Sequence, residues 1–137
     1  MFSRIDHIGV AVAELDQALA LYRDTYQLNV AHREIVHEQG VEAVLLDIGE
    51  GHVELLAPLG ADTPVGKFLA KKGPGLHHVA YQVTDIEGTL ATLAATGVEL
   101  IDTAPRTGIR NSRVAFLHPR SSGGVLTEIV QPAGEAH

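Results

Sequence analysis

Two stretches of this chain repeat one another, and no other feature limits the fold as strongly. Ile5-Asp6-His7-Ile8-Gly9-Val10-Ala11-Val12 aligns with Leu76-His77-His78-Val79-Ala80-Tyr81-Gln82-Val83, placing His7 on His78 at an offset of 71 residues. The register runs on without a gap: Leu15 falls on Ile86, Leu19 on Leu90 and Tyr22 on Leu93. The ends match too, Val53-Glu54-Leu55-Leu56-Ala57-Pro58 against Thr127-Glu128-Ile129-Val130-Gln131-Pro132. Each copy opens with a His on a strand and closes with a Glu on a strand.

Local pattern gives each copy the same order of elements. Ile8, Val10 and Val12 alternate with His7, Gly9 and Ala11, the period of a strand. Leu15, Leu19, Tyr22 and Tyr26 recur at helical spacing and predict a helix over about 14–28. Strands are expected near 29–37, 41–48 and 52–57, with Gln39-Gly40 opening the second and Gly49-Glu50-Gly51 turning into the third. Residues 59–74, with Gly60, Pro64, Gly66, Gly73 and Pro74, read as a linker carrying a short helix near 65–69. In the second copy a strand over 77–83 leads into a helix. A capping box, Thr84-Asp85-Ile86-Glu87, opens that helix and Gly97 closes it. Further strands fall near 98–102, 114–117 and 125–131, and the tail over 133–137 is expected to fray.

The predicted class is α+β. Two tandem β-α-β-β-β modules, about 3–58 and 75–132, build a single domain over 1–137. One face of each sheet is covered by its helix. The other faces together form a cupped mixed sheet, and parity allows His7, Glu54, His78 and Glu128 to point into the cup.

Composition excludes several classes of function. Cysteine is absent, so no disulfide, thiolate metal site or catalytic Cys exists, which suits a reducing cytoplasm. A net charge of −7, with three Phe, three Tyr and no Trp, argues against nucleic acid as a partner. The N-terminus enters a strand pattern directly, so neither a leader nor a membrane span is expected.

Paired His and paired Glu at matched positions of a repeat point to a divalent metal ion. Two imidazoles and two carboxylates suit Co²⁺, Mn²⁺, Zn²⁺, Ni²⁺ or Mg²⁺ and leave two positions of an octahedral shell for water or a chelating substrate. Glu42, in Gly40-Val41-Glu42-Ala43-Val44-Leu45-Leu46, is a carboxylate on an apolar strand. If the face it shares with Val44 and Leu46 lines the cup, burial makes it a usable general base. The same offset of 71 pairs it with Arg113, a candidate anion contact. Ser121 and Ser122, in His118-Pro119-Arg120-Ser121-Ser122-Gly123-Gly124-Val125-Leu126, read either as a plain hairpin loop or as an anion cradle of N–H groups and hydroxyls. His77 must face away from His78. His52 shares the parity of Glu54 but reads as a surface residue, as do His32 and His37.

At these residues the chain resembles the vicinal oxygen chelate superfamily and, within it, the methylmalonyl-CoA epimerases. Ile5 to Val12, Glu54-Leu55-Leu56-Ala57-Pro58-Leu59, and Gly75-Leu76-His77-His78-Val79-Ala80-Tyr81 are shared in outline with glyoxalase-like relatives. The segment from His118 to Leu126 is the more specific one. The resemblance implies His7, Glu54, His78 and Glu128 as metal ligands, Co²⁺ as the preferred ion, and a homodimer. It implies Glu42 as the base, with Glu128 a candidate for the second acid/base. It also implies an acyl-CoA substrate whose C2 proton is removed to an enolate and returned on the other face. A glyoxalase I-like lyase acting on glutathione hemithioacetals and a non-enzymatic binding module are the rivals of the same fold.

Overall fold

The computed structural model describes residues 1–134. The fraying expected over 133–137 therefore lies, for residues 135–137, outside the described residues. The chain divides into two compact units, His7–His77 and a second made of His78–His137 with Met1–Asp6.

In the first unit, strands β1 (Arg4–Ala11), β2 (Asn29–Val36), β3 (Val41–Ile48) and β4 (Gly51–Pro58) lie in the order β2-β3-β4-β1. β4 runs parallel to β1, and the other two contacts are antiparallel. Helix α1 (Leu15–Leu19) covers one face. Its Leu15 and Leu19 pack with Val44, Leu46, Val53, Leu55 and Ala57 in a buried cluster that Ile8 and Val10 border. Each Leu buried there contributes about 1.5–3 kcal/mol. The helix is shorter than its spacing predicts. After Leu19 it rewinds as a π-helix over Ala20–Thr25, and Gln27 in the left-handed region ends it.

Register fixes the opposite face. Gly9 faces Glu54, Glu54 faces Leu45, and Leu45 faces His32. One row along, Ala11, Leu56, Ala43 and Glu34 stand side by side. Cross-strand partners share a face, so these two rows lie on the side of the sheet away from α1. Helix α2 (Pro64–Lys72) occupies the expected linker, capped by the Thr63 hydroxyl, which accepts the Gly66 N–H at 3.1 Å.

The second unit repeats the plan. Strands β5 (Gly75–Gln82), β6 (Arg106–Thr107), β7 (Arg113–Leu117) and β8 (Thr127–Gln131) lie in the order β5-β8-β7-β6. Helix α3 (Ile86–Ala95) packs Ile86 and Leu90 on Ala115, Leu117 and Ile129. Its cap is Asp85, whose side chain accepts the Gly88 N–H at 3.1 Å, rather than the expected Thr84. The start of β1 belongs to this unit: the Ser3 N–H donates to the Gln82 carbonyl at 2.9 Å.

The strand predicted near 98–102 does not form. Leu100 makes only an isolated bridge to Leu117, and the Ile101 and Asp102 N–H groups both donate to the Phe116 carbonyl. The Asp102 side chain meanwhile accepts the Phe116 N–H, so a turn replaces the ladder and the edge passes to Arg106–Thr107. Mixed strands with few helices place the chain in the α+β class, as expected. Among the described residues, no helix is long and apolar enough to cross a membrane.

Candidate metal centre

Each unit builds one His–Glu pair in the same way. On β1, His7 precedes Gly9 by two residues and so shares its face, and Gly9 is the cross-strand partner of Glu54. Glycine carries no side chain opposite Glu54. His7 Nε2 and Glu54 Oε1 lie 3.4 Å apart, both residues buried. On β5, His78 precedes Ala80 by two residues, and Ala80 is the partner of Glu128. His78 Nε2 and Glu128 Oε1 lie 3.0 Å apart, again both buried. Phe116, opposite Glu128 on β7, sets its ring edge-on to His78 at 5.6 Å.

The donor chemistry fits a cation. A buried carboxylate costs several kcal/mol in desolvation unless it is paired with positive charge. Here two buried carboxylates stand beside two imidazoles. One ligand atom from each of His7, Glu54, His78 and Glu128 lies within 4.8 Å of the others. A buried His-Glu-His-Glu group of mixed N and O donors can hold a divalent metal.

Two of the expected catalytic and substrate contacts fall on the wrong side of their sheets. Glu42 faces Ala57, and with Val44 and Leu46 it points to the α1 side, away from Glu54. There it accepts a hydrogen bond from Arg33 Nε at 3.0 Å, and Arg33 also reaches Asp16 of α1 at 3.5 Å. That hydrogen bond, and then the carboxylate charge, holds the Arg33 guanidinium above its usual range. Arg113 shares its parity with Ala115 and Leu117 on the α3 side, where it meets Glu87 at 3.3 Å. The repeat relation between Glu42 and Arg113 holds, and so does that between Asp16 and Glu87. Both strand residues serve the helix side of their modules, because the apolar partners in register with them pack on the helices.

The loop after His118 spends most of its backbone donors on itself. Its Ser121, Ser122, Gly124 and Val125 N–H groups donate to carbonyls of the loop itself. The Ser121 hydroxyl accepts the Glu99 N–H at 2.9 Å. These bonds hold the loop as a plain hairpin. His77 packs against Phe68 at 4.9 Å, as expected of a residue facing away from His78. His52, expected at the surface, keeps only 9% of its side chain exposed and meets Asp47 at 3.3 Å.

His32 and Glu34 were legible as a pair only through their spacing. Two residues apart on β2, they share the face of Leu45 and Ala43 and lie 2.8 Å apart. A reading of β2 as a polar, exposed strand misses that this face is also the one bearing His7 and Glu54.

Residues 6–116 match the model of the Glyoxalase/Bleomycin resistance protein/Dioxygenase superfamily. The chain is 41% identical to the uncharacterized protein YqjC of Bacillus subtilis over 98% of its own length and 96% of that protein. It is 36% identical to the mitochondrial methylmalonyl-CoA epimerase of Mus musculus over 93% of its own length and 72% of that protein. A solved methylmalonyl-CoA epimerase in complex with methylmalonyl-CoA and NH4+ superposes with a TM-score of 0.93 at 41% identity, covering 98% of this chain and 97% of that one. The chain belongs to the Glyoxalase/Bleomycin resistance protein/Dioxygenase superfamily and, within it, to the methylmalonyl-CoA epimerase family.

Proposed function

We propose that this protein interconverts the two C2 epimers of methylmalonyl-CoA, and that His7, Glu54, His78 and Glu128 hold the metal ion it needs. One observation carries the reading: four buried N and O donors from matched positions of a repeat, gathered within 4.8 Å, in a chain whose relatives are epimerases of this substrate. A divalent ion bound there would supply Lewis-acid stabilisation of negative charge on the thioester oxygen.

The chain's own residues do the rest. A base removes the C2 proton and the electron pair moves onto the thioester oxygen, giving an enolate. A proton then returns to C2 from the opposite side and inverts the centre. Glu128 is the residue we assign to proton return on one side. The burial of both His–Glu pairs shields the site from water and strengthens each charge interaction within it.

Co²⁺ is the preferred ion in this reading, on the family's precedent and a borderline donor set. The two repeats act as one domain, and two chains associate as a homodimer in the cytoplasm. The lack of cysteine supports that compartment.

The test is deuterium uptake at C2 from D₂O, measured on each methylmalonyl-CoA epimer with the Co²⁺-loaded protein. A glutathione hemithioacetal serves as the competing substrate. Exchange of both epimers with no turnover of the hemithioacetal is the expected result. Turnover of the hemithioacetal alone would replace this reading with a lyase.

A further inference from the structure

We infer that Glu34, held by His32, is the general base of this chain, in the place that Glu42 cannot take. The inference rests on the epimerase reading and supplies the residue which that reading leaves open.

Placement comes first. Glu34 faces Ala43 across β2 and β3, Ala43 faces Leu56 across β3 and β4, and Leu56 faces Ala11 on β1. Glu54 stands in the adjoining row, between Gly9 and Leu45. Glu34 and the His7–Glu54 pair therefore lie on one face of one sheet. Two strand spacings, about 10 Å, separate the β2 and β4 backbones. That leaves room for a small acyl group between a carboxylate on β2 and the ligand on β4.

The floor between them is apolar. Val41, Ala43 and Leu45 on β3 are each about 1% exposed. Ala43, the cross-strand partner of Glu34, carries only a methyl, the smallest side chain among these β3 residues. His32 lies behind the bulkier Leu45 in its own row. This asymmetry makes Glu34 the group that reaches the substrate and His32 the positioning residue.

Chemistry comes second. His32 Nε2 lies 2.8 Å from Glu34 Oε1, and the two side chains are 36% and 32% exposed. A general base needs a fixed direction and an outlet for its proton. The imidazole fixes the carboxylate, and its partial exposure gives solvent access to the proton taken from C2. The balance is closed: the C2–H bond breaks, the pair moves to the thioester oxygen, and the proton resides on Glu34 Oε until it is exchanged or returned. Glu42 is excluded by its face: it points to the α1 side, away from Glu54, where Arg33 donates to it.

The experiment compares Glu34→Gln, His32→Gln and Glu42→Gln with the wild type, all loaded with Co²⁺. Metal content, far-ultraviolet circular dichroism and calorimetric binding of methylmalonyl-CoA are read alongside C2 deuterium exchange for each epimer. Glu34→Gln is expected to keep metal, fold and binding while exchange of one epimer falls by about 10²-fold or more. His32→Gln should move the pH profile of that same exchange. Glu42→Gln should exchange both epimers within about 2-fold of wild type, inside the spread of non-catalytic surface changes. Wild-type exchange of both epimers by Glu34→Gln overturns the inference while leaving the epimerase reading intact. Loss of metal from Glu34→Gln also overturns it, making Glu34 part of the ion's support. No exchange by the wild type overturns the epimerase reading and this inference with it.

Discussion

Glu42 and Glu54 point to opposite faces of one hairpin. Glu54 is the cross-strand partner of Leu45, and Glu42 is the partner of Ala57 in the α1-side core. The odd and even positions of β3 thus belong to different environments, and one residue of register decides which carboxylate can meet a substrate.

The first prediction follows from that parity. Glu42 and Arg33 form an ion pair at 3.0 Å with side chains 33% and 42% exposed, so solvent screens it. Glu42→Ala should lower stability by no more than about 1 kcal/mol, the range of exposed pairs. Urea denaturation checks this. A loss several times larger would mean that Glu42 is buried in a role the register does not give it.

The second prediction concerns the ion. His7→Ala and His78→Ala each remove one of four donors and should lose most bound Co²⁺ after dialysis, because water does not replace a fixed ligand at equal affinity. His77→Ala, which removes a contact to Phe68 on the other face, should keep its metal. Elemental analysis of the three variants decides. For the wild type, Co²⁺ at about 100 times its dissociation constant should raise stability by about 2.7 kcal/mol, visible as a higher Tm.

Ala80 gives the third. It is fully buried and stands opposite Glu128, in the position Gly9 holds opposite Glu54. Ala80→Val places two methyl groups where the carboxylate turns toward His78. Overpacking should cost about 1–3 kcal/mol, and metal affinity should fall although no ligand has been changed. Unaltered metal binding in a folded Ala80→Val protein would show that the small residue is not what admits Glu128.

Much of this was legible in the sequence, and the exceptions share a cause. The repeat singles out His7, Glu54, His78 and Glu128, a buried group that could hold a metal ion, because a position copied with its strand keeps its parity. β3 and β4 were readable from alternation between Gly turns, with bounds at Val41–Ile48 and Gly51–Pro58. Alternation alone did not say which parity faces the helix. Val44 and Leu46 on one side and Ala43 and Leu45 on the other are equally apolar and equally buried, so alternation leaves the face of Glu42 open until the register is known. The same ambiguity applies to Arg113. The cap of α3 fell to Asp85 because either Thr84 or Asp85 offers an oxygen at the helix start, and only backbone geometry chooses between them. The π-helical rewinding after Leu19 left no sequence signal, since its Leu and Tyr spacing also suits a regular helix.

The last prediction uses Ala43, the small residue beside Glu34 in its row. Ala43 is the cross-strand partner of Glu34, about 1% exposed, on the face that carries Glu54. A carboxylate placed at 43 would therefore project from the neighbouring strand to the face that carries Glu34. Opposed β-carbons lie about 4.5–5.5 Å apart, a distance that a glutamate side chain can cover. In a Glu34→Gln background, Ala43→Glu should restore C2 exchange of the impaired epimer by about 10-fold or more, since a base is returned to the same side of the substrate. The same Glu installed at position 44, by Val44→Glu, is as deeply buried but points to the α1 side, so it should carry a similar cost in stability without restoring exchange. Circular dichroism and exchange measured on the two double variants separate the cases. A folded Glu34→Gln/Ala43→Glu protein that binds metal and substrate but recovers no exchange would place the base elsewhere on the face, and the role assigned to Glu34 would fall.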